Sequence, residues 1–263
     1  MTTDATVEAA LGELLASAPP SLAPRTLTEV GLADWYTRMP SPIGELVVAW
    51  NGLGVATVEA AADDTAFETA HRARTGRVAY RADHLPDRLA NAITRRLEGE
   101  RRVRIDLDLR GHTEFERDVW LKALEIPHGE VRPYGWIAKE IGHPGAVRAA
   151  GSALAKNPVP LLIPCHRVVR SDGHIGRYSL GGARNKRRLL EVEGVQPELL
   201  ERLAASGVRY LGNAEKKYFC YPTCGGIETL VQSNKVRFRS EREAVAAGYH
   251  PCGDCRPPVA QAG

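Results

Sequence analysis

Cys165 lies in Leu161-Leu162-Ile163-Pro164-Cys165-His166-Arg167-Val168-Val169, and it is the only cysteine before residue 220 of this 263-residue chain. A thiol flanked by an imidazole and a guanidinium is a candidate nucleophile, because cationic neighbours favour the thiolate, the reactive form. The competing use is a buried, inert cysteine at a strand end. Pro164 favours the nucleophile. It continues neither a ladder nor a helix interior, so the chain is expected to turn there and present Cys165 at the edge of the apolar run.

The other four cysteines form two close pairs, Cys220-x3-Cys224 and Cys252-x2-Cys255, with 27 residues between them. Each pair supplies two thiolates from one knuckle, and together they suit a tetrahedral zinc site. Two disulfides are the alternative, and they need an oxidising compartment. Met1 to Ser17 carries no basic segment followed by an apolar core and no small-residue cleavage site. A cytoplasmic protein with one structural zinc ion per chain is therefore expected.

Net charge is only +3, but it is unevenly placed. Residues 130–190 hold 11 basic and 3 acidic side chains, a local charge of +8, against −5 for residues 1–129 and zero for 191–263. A basic segment enclosing the lone cysteine suggests a polyanionic partner, although a merely solvated basic face has the same composition. With 43% hydrophobic residues the chain can bury one large or two ordinary cores. No apolar stretch approaches membrane-spanning length, so a soluble protein without a membrane partner is expected.

The elements that must position these groups read as α+β. Residues 4–17 predict a short amphipathic helix, and Pro19, Pro20 and Pro24 a linker after it. Asp34 to Ala60 alternates as a hairpin or meander turning at Pro42-Ile43-Gly44 and Asn51-Gly52, and Leu85 to Leu97 reads as a helix. This first unit shows no metal or catalytic cluster, and a scaffold role is its default. Thr113 is expected to cap a helix to about Leu124, with Glu116 completing a capping box. Trp136–Ile141 and Ala146–Ala155 follow as two short helices across a Gly-containing turn, a helix-turn-helix pattern. The second offers Ala149, Ala150, Gly151, Ser152 and Ala153 where major-groove readers carry long hydrogen-bonding side chains. Small residues let backbone approach closely, which suits the minor groove; they equally suit a helix packed inside the protein.

Glu130-Val131-Arg132-Pro133-Tyr134, Val147-Arg148-Ala149-Ala150-Gly151, Lys156-Asn157-Pro158-Val159-Pro160, Ile163 to Val169, Gly181-Gly182 and Leu189-Leu190-Glu191-Val192-Glu193-Gly194 occur in the order and spacing of the O6-alkylguanine-DNA alkyltransferases. The chain resembles that family over about residues 34 to 195, most densely from Phe115 onward. The resemblance implies a ribonuclease-H-like sheet at 31–112 and a winged helix-turn-helix domain at 113–198, after an N-terminal helix and linker at 1–30. It makes Cys165 the alkyl acceptor, His166 its activator through a water, Glu193 the group orienting His166, and Asn157 the residue holding the nucleophile's turn. Tyr134 would donate a hydrogen bond to the departing guanine. Arg148 would fill the gap left by a flipped base, with Ala149 and Gly151 beside it in the minor groove of double-stranded DNA. Tyr178 and Ser179 would lie on the loop over the base pocket, where Tyr178-Ser179-Leu180-Gly181-Gly182 holds one residue more than the commonest family pattern.

Residues 208–258 resemble the metal-binding module of the bacterial Ada protein, carried by Tyr218-Phe219-Cys220-Tyr221-Pro222-Thr223-Cys224 and Ala247 to Pro257. This implies zinc on Cys220, Cys224, Cys252 and Cys255, and leaves open whether Cys220 is also a methyl acceptor. The expected activity is single-turnover repair of O6-alkylguanine in DNA by a monomer without organic cofactor. Two competitors stand beside it: a cysteine hydrolase, which would draw its histidine from elsewhere in the fold, and a DNA-binding damage sensor or transcriptional regulator. Neither the preferred alkyl group nor the role of residues 1–30 is legible.

Overall fold

The computed structural model describes residues 22–100 and 102–258. The helix expected at 4–17 lies outside them. Pro24 does not sit in a linker but in the first turn of helix α1 (Leu22–Glu29), where its missing N–H has no intrahelical partner to lose.

Strands β1 (Ala33–Met39), β2 (Leu46–Asn51) and β3 (Gly54–Glu59) form the expected antiparallel meander, and β4 (Val78–Arg81) adds to β1 in parallel, giving the order β3-β2-β1-β4. Every residue of β2 is buried, so the sheet is covered on both faces. One face packs Tyr36, Val47, Ala49 and Ala79 against Phe67 of α2 (Asp64–Thr75). The other packs Leu46, Val48 and Trp50 with Ile93 of α3 (Asp87–Leu97) and continues into the core of the next unit. Gly52 is required at its turn, because a Cβ there would lie 1.9 Å from the carbonyl oxygen of Glu29.

Inside this scaffold lies a polar network that the sequence did not announce. Asn51 Nδ2 donates to Asp34 Oδ1 (2.7 Å) and Asp108 Oδ2 (2.8 Å), and Arg77 Nε donates to Asp34 Oδ2 at 2.7 Å. His71 bridges Asp34 at 2.8 Å and Thr57 at 3.2 Å. Arg110 closes the far side on Asp108 at 2.7 Å. Two arginines thus balance two buried carboxylates, which is what lets them stay ionised away from water.

Thr113 caps α4 (Glu114–Ala123) with the capping box read from the sequence. Helix α5 begins at Tyr134 rather than Trp136 and runs to Glu140, and α6 spans Val147–Ala155. Trp120 of α4 donates from Nε1 to the carbonyl of Ala153 at 2.8 Å, which locks α6 onto the core. Ala150 and Ala153 face that core, 0% and 3% exposed, while Arg148, Ala149, Ser152 and Ala155 are exposed and Gly151 is half-buried. On the inner side the small residues serve tight packing.

A parallel pair, β5 (Arg132–Pro133) with β6 (Val168–Val169), joins the start of α5 to the end of the Cys165 turn. Helix α7 (Gly182–Val192) and helix α8 (Pro197–Ala205) follow, the latter running past residue 198. The C-terminal sheet has the order β10-β8-β7-β9, built from β7 (Tyr210–Asn213), β8 (Tyr218–Cys220), β9 (Lys235–Phe238) and β10 (His250–Pro251). Between β8 and β10 lie the short helices α9 (Gly225–Glu228) and α10 (Glu241–Ala246). Among the described residues no helix is long and apolar enough to cross a membrane.

Candidate active site and metal centre

The apolar run before Cys165 folds back on itself. Leu161 adopts a left-handed φ of 72°, rare for a branched side chain, and Asn157 supplies what holds it there. Its Nδ2 donates to the carbonyl of Ile163 at 3.0 Å and to Cys165 Sγ at 3.1 Å, and its Oδ1 accepts the N–H of Val159 at 3.0 Å. The same turn is anchored to the N-terminal sheet, where Val58 N donates to the Pro158 carbonyl at 2.8 Å. Pro164 then ends the run, and Cys165–Arg167 form one 3-10 turn. Cys165 is 5% exposed, so the thiol is not free in solvent.

His166 Nε2 lies 2.7 Å from Glu193 Oε1. Arg167 grips the same carboxylate with Nε on Oε2 at 2.8 Å and Nη2 on Oε1 at 2.9 Å. Burial by itself would raise Glu193, but the hydrogen bonds from His166 and Arg167 outweigh it and hold the carboxyl at about 2. A carboxylate only accepts, so His166 must carry its proton on Nε2. Nδ1 is left as a lone-pair acceptor, buried and with no protein partner. Burial pushes the Cys165 thiol up, against the Asn157 hydrogen bond and the charge of Lys186, and it pushes His166 down against Glu193. The resting pair is therefore a thiol beside a neutral imidazole, with a base available and no ion pair stored.

Lys186 is the group that sequence reasoning missed. It is fully buried on α7, its Nζ donates to the Val168 carbonyl at 2.5 Å, and burial lowers it to about 8. Its charge acts on Cys165. The available signal was periodicity: Lys186 stands three and four residues before Leu189 and Leu190, on the apolar face of its helix.

Tyr134 opens α5, partly buried, and its ring is the nearest neighbour of Gly151, 3.8 Å from the place a Cβ would take. Burial and the neighbouring Cys165 sulfur raise its hydroxyl, so it is a proton donor throughout the neutral range. Tyr178 is buried, its ring edge-on to His166 at 6.2 Å and its hydroxyl without a protein partner. Ser179 is exposed. Arg148 and Ala149 are also exposed, on the outer face of α6. The structure thus gathers Asn157, Cys165, His166, Glu193, Tyr134 and Tyr178 around one centre, and sets Arg148 and Ala149 on the adjoining surface.

The other four thiols meet at a second centre. The Sγ atoms of Cys220, Cys224, Cys252 and Cys255 all lie within 4.8 Å of one another, all four residues are buried, and none is in a disulfide. Tetrahedral coordination at a metal–sulfur length of about 2.3 Å places sulfurs about 3.8 Å apart, so the donor set fits a single metal ion. Cys220 ends β8, Cys224 precedes α9, and Cys252 and Cys255 flank the turn after β10.

Residues 114–195 match the family described as 6-O-methylguanine DNA methyltransferase, DNA binding domain, and residues 201–258 match the metal binding domain of Ada. The methylated-DNA–protein-cysteine methyltransferase of Mycobacterium tuberculosis is 37% identical over 161 residues, 60% of this chain and 91% of that one. The Haemophilus influenzae protein of the same name is 32% identical over 166 residues, 62% and 88% of the two chains. A crystal structure of the Mycobacterium tuberculosis protein in complex with DNA aligns with a TM-score of 0.51 at 34% identity, covering 63% of this chain and 98% of its own.

Proposed function

The chain belongs to the methylated-DNA–protein-cysteine methyltransferase family, and from that premise we propose that it repairs DNA by a single-turnover transfer of the alkyl group of O6-alkylguanine to Cys165. The observation that carries the assignment to Cys165 is the continuous contact from Asn157 through Cys165, with His166 held by Glu193 and its Nδ1 left open. Nδ1 takes the thiol proton through a water. The Cys165 sulfur attacks the alkyl carbon, the carbon–O6 bond breaks, and its electron pair stays with guanine. Tyr134 donates a hydrogen bond to the departing base. The departing guanine anion takes up one proton, offsetting the one the thiol gave to His166, so S-alkylcysteine and restored guanine result with no organic cofactor consumed.

The partner is double-stranded DNA. We read its approach as minor-groove, because α6 presents a short outer face of Ala149, Gly151 and Ser152. Arg148 stands in the stack for a flipped base, and Tyr178 and Ser179 border the pocket that receives it. The sheet order β3-β2-β1-β4 with β4 parallel to β1 supports a ribonuclease-H-like scaffold at 31–112. Helices α5 and α6 with the β5–β6 pair support a winged helix-turn-helix domain at 113–198. Residues 208–258 are read as a metal-binding module. Four thiolates favour zinc, one per chain, and five free thiols favour the cytoplasm. A monomer suffices, since one chain supplies the whole site.

A role as damage sensor or regulator, with Cys220 as a methyl acceptor, is not favoured: the relatives are named methyltransferases, and Cys220 is 0% exposed. The deciding experiment incubates the chain with a duplex carrying labelled O6-methylguanine. One label per chain on Cys165, and none with Cys165→Ser, is expected; label retained by that variant rejects the assignment.

A further inference from the structure

Glu130, Val131 and Arg132 are gripped from two sides. On one side Arg132–Pro133 pairs with Val168–Val169, the strand leaving the Cys165–Arg167 turn, and Tyr134 follows directly. On the other side the contacts come from the thiolate module. Val131 N donates to Thr223 Oγ1 at 2.8 Å, Gly225 N donates to Glu130 Oε1 at 3.2 Å, and the Arg132 guanidinium lies 5.6 Å from the Tyr221 ring centre. Thr223 and Gly225 flank Cys224 in sequence, so the loop that presents a metal ligand is the surface against which the strand rests.

Arg132 sits between the two centres. Its side chain is 3% exposed, pairs with Glu130, donates to the Val131 carbonyl at 2.9 Å, and leaves Nε without a protein partner. Four thiolates around a divalent cation carry a formal charge of about −2, a countercharge suited to a buried guanidinium. Arg256, next to the ligand Cys255, adds a second hold: it pairs with Glu140 at 3.0 Å and Glu125 at 3.2 Å and lies over the Trp136 ring at 5.5 Å. Trp136 is therefore held between Arg132 and Arg256, two residues along α5 from Tyr134.

We propose that the metal-loaded module is a working part of the alkyl-transfer centre. The metal fixes loop 221–225, the loop fixes strand 130–133, and the strand sets Tyr134 against Cys165, with Arg132 as the positioning residue between metal and active site. A two-residue strand pair is too short to define this position unaided, and a cluster of four thiolates has a defined loop only when a cation gathers it. The inference rests on transfer at Cys165 and goes beyond it, because it makes repair by this chain depend on a metal remote from the reacting atoms.

The test uses the full chain, loaded with zinc, stripped with a chelator, and reloaded. Single-turnover transfer is followed with free O6-benzylguanine, which needs no DNA contact, while duplex affinity and the thermal midpoint are read in parallel. Stripping should slow transfer about tenfold or more, since a 1 Å misplacement alone can cost about 100-fold, and reloading should restore it. Thr223→Val keeps all four ligands and removes the hydroxyl that holds Val131. It should retain one zinc per chain and wild-type duplex affinity while slowing transfer, and Thr223→Ser should recover the rate. A stripped chain of unchanged circular dichroism that transfers at the loaded rate overturns the proposal, as does a zinc-bound Thr223→Val chain at the wild-type rate. A loaded wild-type chain that never alkylates Cys165 rejects the function reading itself.

Discussion

Glu193 Oε1 accepts the hydrogen bond of His166 Nε2–H at 2.7 Å, and by holding the proton on Nε2 makes Nδ1 the imidazole's only base. The carboxylate serves as a tautomer lock as well as a charge. Arg167 completes it by occupying both carboxylate oxygens, so that Glu193 stays ionised although it is buried.

Glu193→Gln should therefore slow single-turnover transfer by about 100-fold, within the range that general-base catalysis contributes. A glutamine amide can donate to Nε2 and leave the proton on Nδ1, where it blocks the thiol's exit route. The rate constant with free O6-benzylguanine, beside a far-ultraviolet circular dichroism spectrum, checks it. A rate within threefold of wild type would remove Glu193 from the relay.

The same residue predicts an acid limit to stability. Its carboxyl is lowered from 4.5 to about 2 on folding, so its contribution is complete above about pH 4.5 and is lost as pH falls towards 2. With the side chain 8% exposed, the contribution is about 3 kcal/mol. His166, lowered by burial, acts in the same direction, since protonation below its unfolded pKa favours the open chain. Urea midpoints from pH 7 to 3 should fall more steeply for wild type than for Glu193→Gln; parallel curves would contradict this.

Lys186→Met should move the pH profile of transfer to more alkaline values. Below about pH 8, where Lys186 is charged, its ammonium lowers the Cys165 thiol, and methionine keeps length without charge. The Val168 carbonyl loses its donor, at about 1–3 kcal/mol of stability. Rates between pH 6 and 10 separate the two effects: a uniform drop with no shift would make Lys186 purely structural.

Asp34→Ala should damage stability and spare chemistry. It removes the carboxylate that Arg77 and His71 share, while Arg77 keeps Asp108 at 3.2 Å, so the loss sits at the lower end of that for breaking a buried pair, about 3 kcal/mol. The thermal midpoint should fall by about 10 °C, while the transfer rate of the folded fraction at 15 °C stays near wild type. A rate loss without a stability loss would give the N-terminal network a part in the reaction.

Arg148→Ala should impair repair of a duplex more than reaction with the free base. Arg148 is exposed on the outer face of α6, where a duplex can meet it, so a substrate that must leave a base stack should miss it most. Equal losses on both substrates would place Arg148 in the pocket or the fold.

What the residues alone decided is local chemistry and local geometry. The Pro164-Cys165-His166 turn, the paired cysteine knuckles, the capping box at Thr113 and the meander over 34–60 each depend on residue types within a few positions of one another. Such short spacings leave the backbone few other choices. The partnership of His166 with Glu193 came from resemblance, and only folding supplied its reason, since the Arg167 and His166 hydrogen bonds overcome burial and hold that glutamate ionised well below the ordinary carboxylate range. Tertiary structure alone decided which small residues of α6 face inward, because Ala150 and Ala149 are indistinguishable by type and separated only by what Trp120 and the core lay against them. It alone gathered Asp34, Asn51, His71, Arg77 and Asp108 into one buried network, and set Thr223 against Val131 across 92 residues of chain. Such contacts depend on how the strands and helices dock, and the free energy of docking is spread over the whole core, where no single stretch of sequence records it.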